Sequence, residues 1–168
     1  MSINIRLEKS SDIQCIHRIT VAAFLEAPHT DHTEQFIVKA LRDSGALTIS
    51  LVAENSAQTV GHVALSPVSI SDGSSDWYGL GPISVIPNEQ GNGIGSKLMH
   101  AAIAELKNLK ANGCVLLGDP NYYHRFGFEP IDGLVLPDVP PEYFQALLLQ
   151  GTYPKGTVTY HESFSAQG

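Results

Sequence analysis

Gly91, Gly93 and Gly95, three glycines in the run Gln90-Gly-Asn-Gly-Ile-Gly95, stand between two stretches of different periodicity. Before them, Trp77 to Val85 reads as a strand. After them, Leu98, Ala102, Leu106 and Leu109 recur at helical spacing, and Met99 and Ile103 widen that face. A strand that turns through glycines directly into a helix leaves the helix's first N–H groups without internal partners. Glycine accepts positive φ and lets a ligand approach the backbone with no Cβ in the way. The turn is therefore a concave row of donors at the positive end of a helix dipole, which suits phosphate oxygens. Ser96 adds a hydroxyl and Lys97 a positive charge. A glycine-rich turn that binds nothing is the plain alternative.

The common phosphate loops do not fit. A Walker loop needs Gly-Lys-Ser/Thr, and the order here is Gly95-Ser96-Lys97. A dinucleotide fingerprint needs Gly-x-Gly-x-x-Gly in the first β–α unit. Here the glycines alternate and fall past the middle of the chain, after three strands of antiparallel character.

The rest of the chain reads as mixed α/β. Ile3, Ile5 and Leu7 alternate as a first strand. Ser10, Ser11 or Asp12 caps a helix with Ile13, Ile16, Ile19 or Thr20, and Ala23 on its apolar face. Asp31 with Glu34 resembles a capping box for a second helix carrying Phe36, Ile37, Ala40 and Leu41, ended by Gly45. Leu47 to Ala53, Val60 to Ile70 and Trp77 to Val85 form a three-strand meander. Cys114 to Leu117 is an apolar run typical of a strand covered on both faces. A helical turn opens at Pro120, a strand begins at Phe128, a helix spans Glu142 to Leu149 and a strand closes at Thr157 to His161. The order implies one domain over residues 1–168, with antiparallel strands first and a β–α–β unit in the second half.

The net charge is −7, from 10 Lys and Arg against 17 Asp and Glu. That balance argues against non-specific binding to nucleic acid or an anionic membrane, and it permits a cationic acceptor such as an amine. Cys15 and Cys114 make no disulfide framework and no CxxC pair. No apolar run is long enough to span a membrane. The charged N-terminal stretch does not read as a signal peptide, so a cytoplasmic location is expected.

Gln90-x-x-Gly93-x-Gly95 resembles the acyl-CoA pyrophosphate signature of the GCN5-related N-acetyltransferase (GNAT) superfamily. Leu80 to Val85 resembles the strand that precedes it. Tyr123, four residues before Gly127-Phe128, matches a second signature. The segment Leu117 to Phe128, followed by Pro140 to Phe144, is similar to the bacterial YhbS-like subgroup. The resemblance covers about Ile3 to His161 and implies a central, mostly antiparallel sheet, flanked by helices and splayed between the strand ending at Val85 and the strand Cys114–Leu117.

It further implies acetyl transfer from acetyl-CoA to an amine, with no metal. The pantetheine arm would pair with Ile83, Ser84 and Val85. The diphosphate would rest on Gln90, Gly91, Asn92, Gly93, Ile94, Gly95 and Ser96, and Asn121 and Tyr123 would complete the cofactor contacts. Tyr123 is the expected acid for the leaving thiolate, and a strand N–H near Ser84 or Val85 the expected oxyanion donor. The base is open: no Glu lies between Trp77 and Val85, and Ser84 and His62 are the candidates beside a water relay. His29 or His32 would border the acceptor, and the apolar 142–149 helix offers a face for a homodimer. A CoA-binding sensor without turnover and a nucleotide-phosphate binder are the competing readings.

Overall fold

The computed structural model of the 168-residue chain describes residues 2–27 and 30–168. Strand β1 (Ile3–Leu7) is followed by a short turn and by helices α1 (Ile13–Phe24) and α2 (Glu34–Asp43). A meander follows, made of β2 (Ile49–Asn55), β3 (Gln58–Ile70) and β4 (Trp77–Val85). Then come α3 (Ile94–Asn108), β5 (Gly113–Leu117), a single turn α4 (Pro120–Tyr123), β6 (Leu134–Val135), β7 (Phe144–Leu148) and β8 (Gly156–Tyr160). The main sheet runs β1-β2-β3-β4-β5-β7, and β8 joins the far end of β3 and pairs with β6. Pairing is antiparallel along this path except between β4 and β5.

Strand alternation divides the core between two faces. Leu51, Ala53, Val63 and Leu65 pack under α3, whose Leu98, Met99, Ala102 and Leu106 have no exposed surface. Each large one contributes roughly 1.5–3 kcal/mol of burial. On the other face, Val52 packs against Ile16 of α1 and Val38 of α2.

The β4–β5 ladder is short. It pairs Trp77, Tyr78 and Gly79 with Gly113, Cys114 and Val115, and ends there. Just beyond, β4 shifts register against β3: Val63 faces Ile83, but Leu65 faces Leu80. The extra residue on β4 is a bulge, which bends a strand and strengthens its twist. β4 therefore leaves β5 and opens a cleft between Leu80–Val85 and the end of β5. This is the splay that the resemblance implied.

Four sequence expectations are corrected. Residues 142–149 do not form a helix: a 3-10 turn at Pro141–Tyr143 leads into β7, which pairs with β5. Phe144 and Ala146 enter one apolar cluster while Leu147 packs against another, so the segment is apolar on both faces and mimics helical spacing. The surface proposed for a partner chain is thus built largely into the sheet, with Phe144 buried. No strand starts at Phe128; a lone bridge joins Glu129 to Ala146, and the strand is β6. Asp31 does not cap α2. Thr33 holds that position, and the Glu34 carboxylate instead accepts the Thr30 hydroxyl.

Candidate active site

Local sequence builds the glycine turn. β4 ends at Val85, and a 3-10 turn at Pro87–Glu89 leads into the loop. Gly91 and Gly93 take φ values of +84° and +82°, in the left-handed region. Gly93 is the residue from which α3 starts. The first backbone bond of that helix runs from the Lys97 N–H to the Gly93 carbonyl. Among the described residues, the amides of Gly91 through Ser96 have no backbone acceptor. The donor row expected from the sequence is present and free.

These amides border a depression of about 430 Å³ lined by Val85, Glu89, Gln90, Gly91, Gly93, Ile94, Gly95, Ser96, Tyr122 and Arg125. Three of these residues, Glu89, Tyr122 and Arg125, were not assigned to the site from the sequence. Tyr122 places its hydroxyl 3.4 Å from Ser96 Oγ, and the bare α-carbon of Gly95 lets it approach. The Arg125 guanidinium carbon lies 4.6 Å from the centre of the Tyr122 ring, and its Nε donates to the Tyr122 carbonyl at 2.8 Å. A cation is thus held over an aromatic face at the mouth of the donor row. The signal was available in the i, i+3 spacing of Tyr122 and Arg125.

Gln90 Nε2 donates to the Val85 carbonyl at 2.9 Å, so this side chain ties the loop to the end of β4. Asn92 reaches back to Glu89. Ile94 is buried under the loop, whereas Gly91, Asn92 and Gly93 are exposed.

Antiparallel pairing alternates along β4. The Ile86 N–H donates to the Val60 carbonyl, so the bonded pairs two residues apart include Ser84 with His62. The backbone of Ile83 and Val85 therefore points the other way, into the cleft where β5 no longer pairs. Of the two oxyanion donors expected, the Val85 N–H is the one facing the cleft.

Tyr123 is half-buried. Its ring lies on Gly118, where any Cβ would overlap it, and packs edge-on to Tyr122 at 4.9 Å between centroids. Burial pushes its hydroxyl up to about 12, so it keeps its proton. Asn121 is exposed, and its N–H bonds the capping Asp119 carboxylate.

His62 lies on the opposite face of the sheet from α3, with no exposed surface. Its Nε2 is 2.8 Å from Ser50 Oγ. His32 is exposed at positive φ, and His29 lies outside the described residues. Among the described residues, no group of three His, Cys, Asp or Glu side chains gathers to hold a metal, and no helix is long and apolar enough to cross a membrane.

The chain is similar to known acetyltransferases in sequence and in fold. A family model described as an acetyltransferase (GNAT) domain matches residues 47–130, half of the chain. The N-acetyltransferase YhbS of Escherichia coli K12 is 34% identical over 110 residues, 65% of this chain and 66% of its own length; the match thus spans just under two thirds of that relative. A GNAT family acetyltransferase from Brucella melitensis, solved in complex with acetyl-CoA, superposes with a TM-score of 0.87. It is 45% identical and is covered over 98% of its chain by 97% of this one. Escherichia coli YhbS, solved in complex with CoA, gives a TM-score of 0.83 at 32% identity, over 99% of this chain and 93% of that one. By sequence, by fold and by the strand–glycine loop–helix that lines its cleft, the chain belongs to the GNAT acetyltransferase family.

Proposed function

We propose that this protein uses acetyl-CoA to acetylate an amine. The observation that carries the reading is the run of unpartnered amides from Gly91 to Ser96, at the start of a fifteen-residue helix and beside a splayed sheet. Backbone dipoles bind phosphate oxygens whatever the net charge of the chain, so the cradle is compatible with −7. The two relatives solved with acetyl-CoA and CoA support the same choice of ligand.

The residues fit the group part by part. The amides of Gly91–Ser96, with Arg125 at the mouth, hold the diphosphate. The free backbone of Ile83 and Val85 offers the pantetheine arm a strand edge, with the Val85 carbonyl shared with Gln90. Bound acetyl-CoA supplies an acetyl group activated as a thioester. The Val85 N–H opposes the negative charge that develops on the carbonyl oxygen. Tyr123 hydrogen-bonds the departing sulfur. Its raised pKa keeps the hydroxyl protonated at any working pH, so it acts as a donor and contributes no falling limb to a pH profile near neutrality.

Free-thiol release from acetyl-CoA tests the reading, with a panel of primary amines comprising a diamine, an amino-acid amide, an aminoglycoside and a lysine-bearing peptide. Amine-dependent release above background is the expected result. Tight CoA binding without release would instead mark a CoA-binding sensor.

Arg125→Ala is expected to weaken CoA binding about tenfold, equivalent to about 1.4 kcal/mol. It is also expected to lessen the loss of affinity on adding salt, since a charge contact is removed. Calorimetric titration at two ionic strengths measures both. Unchanged affinity would place Arg125 outside the cradle.

A further inference from the structure

On the face of the sheet covered by α1 and α2, a line of polar side chains runs from the end of β1 across β2 and β3 to β4. Glu8, just after β1, receives two bonds from Arg42 of α2, at 2.7 and 3.0 Å. Ser50 of β2 donates its hydroxyl proton to Glu8 at 2.6 Å. A hydroxyl has one proton, so its 2.8 Å contact with His62 Nε2 must be accepted from the ring. His62 of β3 is thereby fixed as the Nε2–H tautomer. Its Nδ1 is left with a lone pair, buried and without a partner.

Directly opposite His62 on β4 stands Ser84, 2% exposed, and its Oγ is likewise buried and unpartnered. Opposed residues on one face of a sheet have Cβ atoms about 4.5–5.5 Å apart, and a water bridging Nδ1 to Oγ would satisfy both. Ser84 is flanked by Ile83 and Val85, whose backbone faces the cleft. Glu8 and Ser50, at the other end, line an open depression with Leu7, Arg42, Gly45 and Leu47. Two orphaned polar atoms in a buried layer are costly to the fold, at about 1–3 kcal/mol each.

We propose that Ser84, His62, Ser50 and Glu8 form a proton path from the cleft to the far side of the sheet, and that it carries away the proton an acceptor amine loses. The inference rests on the amine-acetylation reading above. An alkylammonium of the lysine type has a pKa near 10.4 and cannot attack until it is deprotonated. Its proton passes through Ser84 and its bridging water to His62 Nδ1. The Nε2 proton moves to Ser50 Oγ, and the Ser50 proton moves to the Glu8 carboxylate, which gives it to solvent. No bond other than these O–H and N–H bonds changes, and the buried ring stays neutral throughout. It regains its first tautomer by the reverse shift: Glu8 takes a proton from solvent and passes one through Ser50 to Nε2, while Nδ1 returns its proton through the water and Ser84 to solvent in the emptied cleft.

A neutral ring matches its surroundings. Burial holds His62 at about 4, the Glu8 carboxylate raises it, Arg42 lowers it and Asp12 raises it slightly. Asp12 is itself paired to Arg6, and α1 presents Ile16 and Thr20 to this layer, without charge. Ser84, His62, Ser50 and Glu8 act on the reaction through proton transfer, with no direct hold on acetyl-CoA.

The test measures thiol release from acetyl-CoA with the same amine panel between pH 6.5 and 10. Ser50→Ala is expected to lower kcat about 10- to 100-fold at pH 7 with KM for acetyl-CoA unchanged. The loss should vanish towards pH 10, where the amine arrives neutral, and Ser50→Thr should restore the neutral-pH rate. Glu8→Gln keeps an acceptor for Ser50 but takes up no proton. It should give the same high-pH recovery, and it serves should Ser50→Ala not fold. A deficit constant across the pH range, or a wild-type profile in both variants, overturns the path while leaving the acetyltransferase reading intact. A wild-type protein that releases no thiol with any amine overturns both.

Discussion

Gly93→Val is expected to raise the dissociation constant for CoA about 100-fold or more while the protein stays folded. Gly93 sits at φ +82° and is exposed, and a Cβ there would meet no protein atom within 4 Å. A valine would therefore project into the depression that the free amides line. Hydrogen bonds to a charged group contribute about 1.5–3 kcal/mol each, so displacing two phosphate contacts accounts for the loss. Holding a β-branched residue in the left-handed region costs about 1–2 kcal/mol in addition. Gly73→Val separates the two effects. Gly73 has φ +86° with equally open surroundings, but it lies in the turn between β3 and β4. It should show a similar drop in melting temperature with unaltered CoA affinity. Calorimetry on both variants decides the matter, and equal affinity for CoA in Gly93→Val removes the cradle.

Tyr123→Phe should reduce kcat about 100-fold and leave the CoA dissociation constant within about twofold. The ring packs on Gly118 and against Tyr122 and Phe126, and phenylalanine keeps all of that packing. Only the hydroxyl is lost. A parallel loss of affinity would show that Tyr123 binds the cofactor without acting on the leaving group. Wild-type turnover would remove its role in the reaction altogether.

The parts of the fold that could be read from the sequence are those with one clean period or with polar turns at their ends. β1, α1 and α3 each bury mainly one face, and their alternation or helical spacing says so; β2 and β3 are buried on both faces and were marked by the polar turns that bound them, Asn55 to Thr59 and Ser71 to Ser75. β7 could not be read because it is buried on both sides. Phe144 and Ala146 fill one cluster and Leu147 another, and only the open edge of β5 makes the segment a strand. The glycine loop was legible because its chemistry is local: three glycines, a strand before and a helix after. Arg125 was less visible, since its value depends on the Tyr122 ring beneath it. His62 shows the limit most clearly. Nothing near it in sequence announces Glu8 and Ser50, which β1 and β2 bring to it across the sheet. The sequence offered a lone histidine in an apolar strand. The fold gives it a fixed tautomer and an unpartnered Nδ1, in a residue directly opposite Ser84.

Backbone amide spectra of nitrogen-15-labelled protein, recorded while CoA is added to saturation, test the central claim most directly. The amide protons of Gly91 through Ser96 should move to lower field as they take up phosphate oxygens, while those of Gly73 and Gly133 stay in place. CoA that binds without moving the Gly91–Ser96 amides would contradict the account.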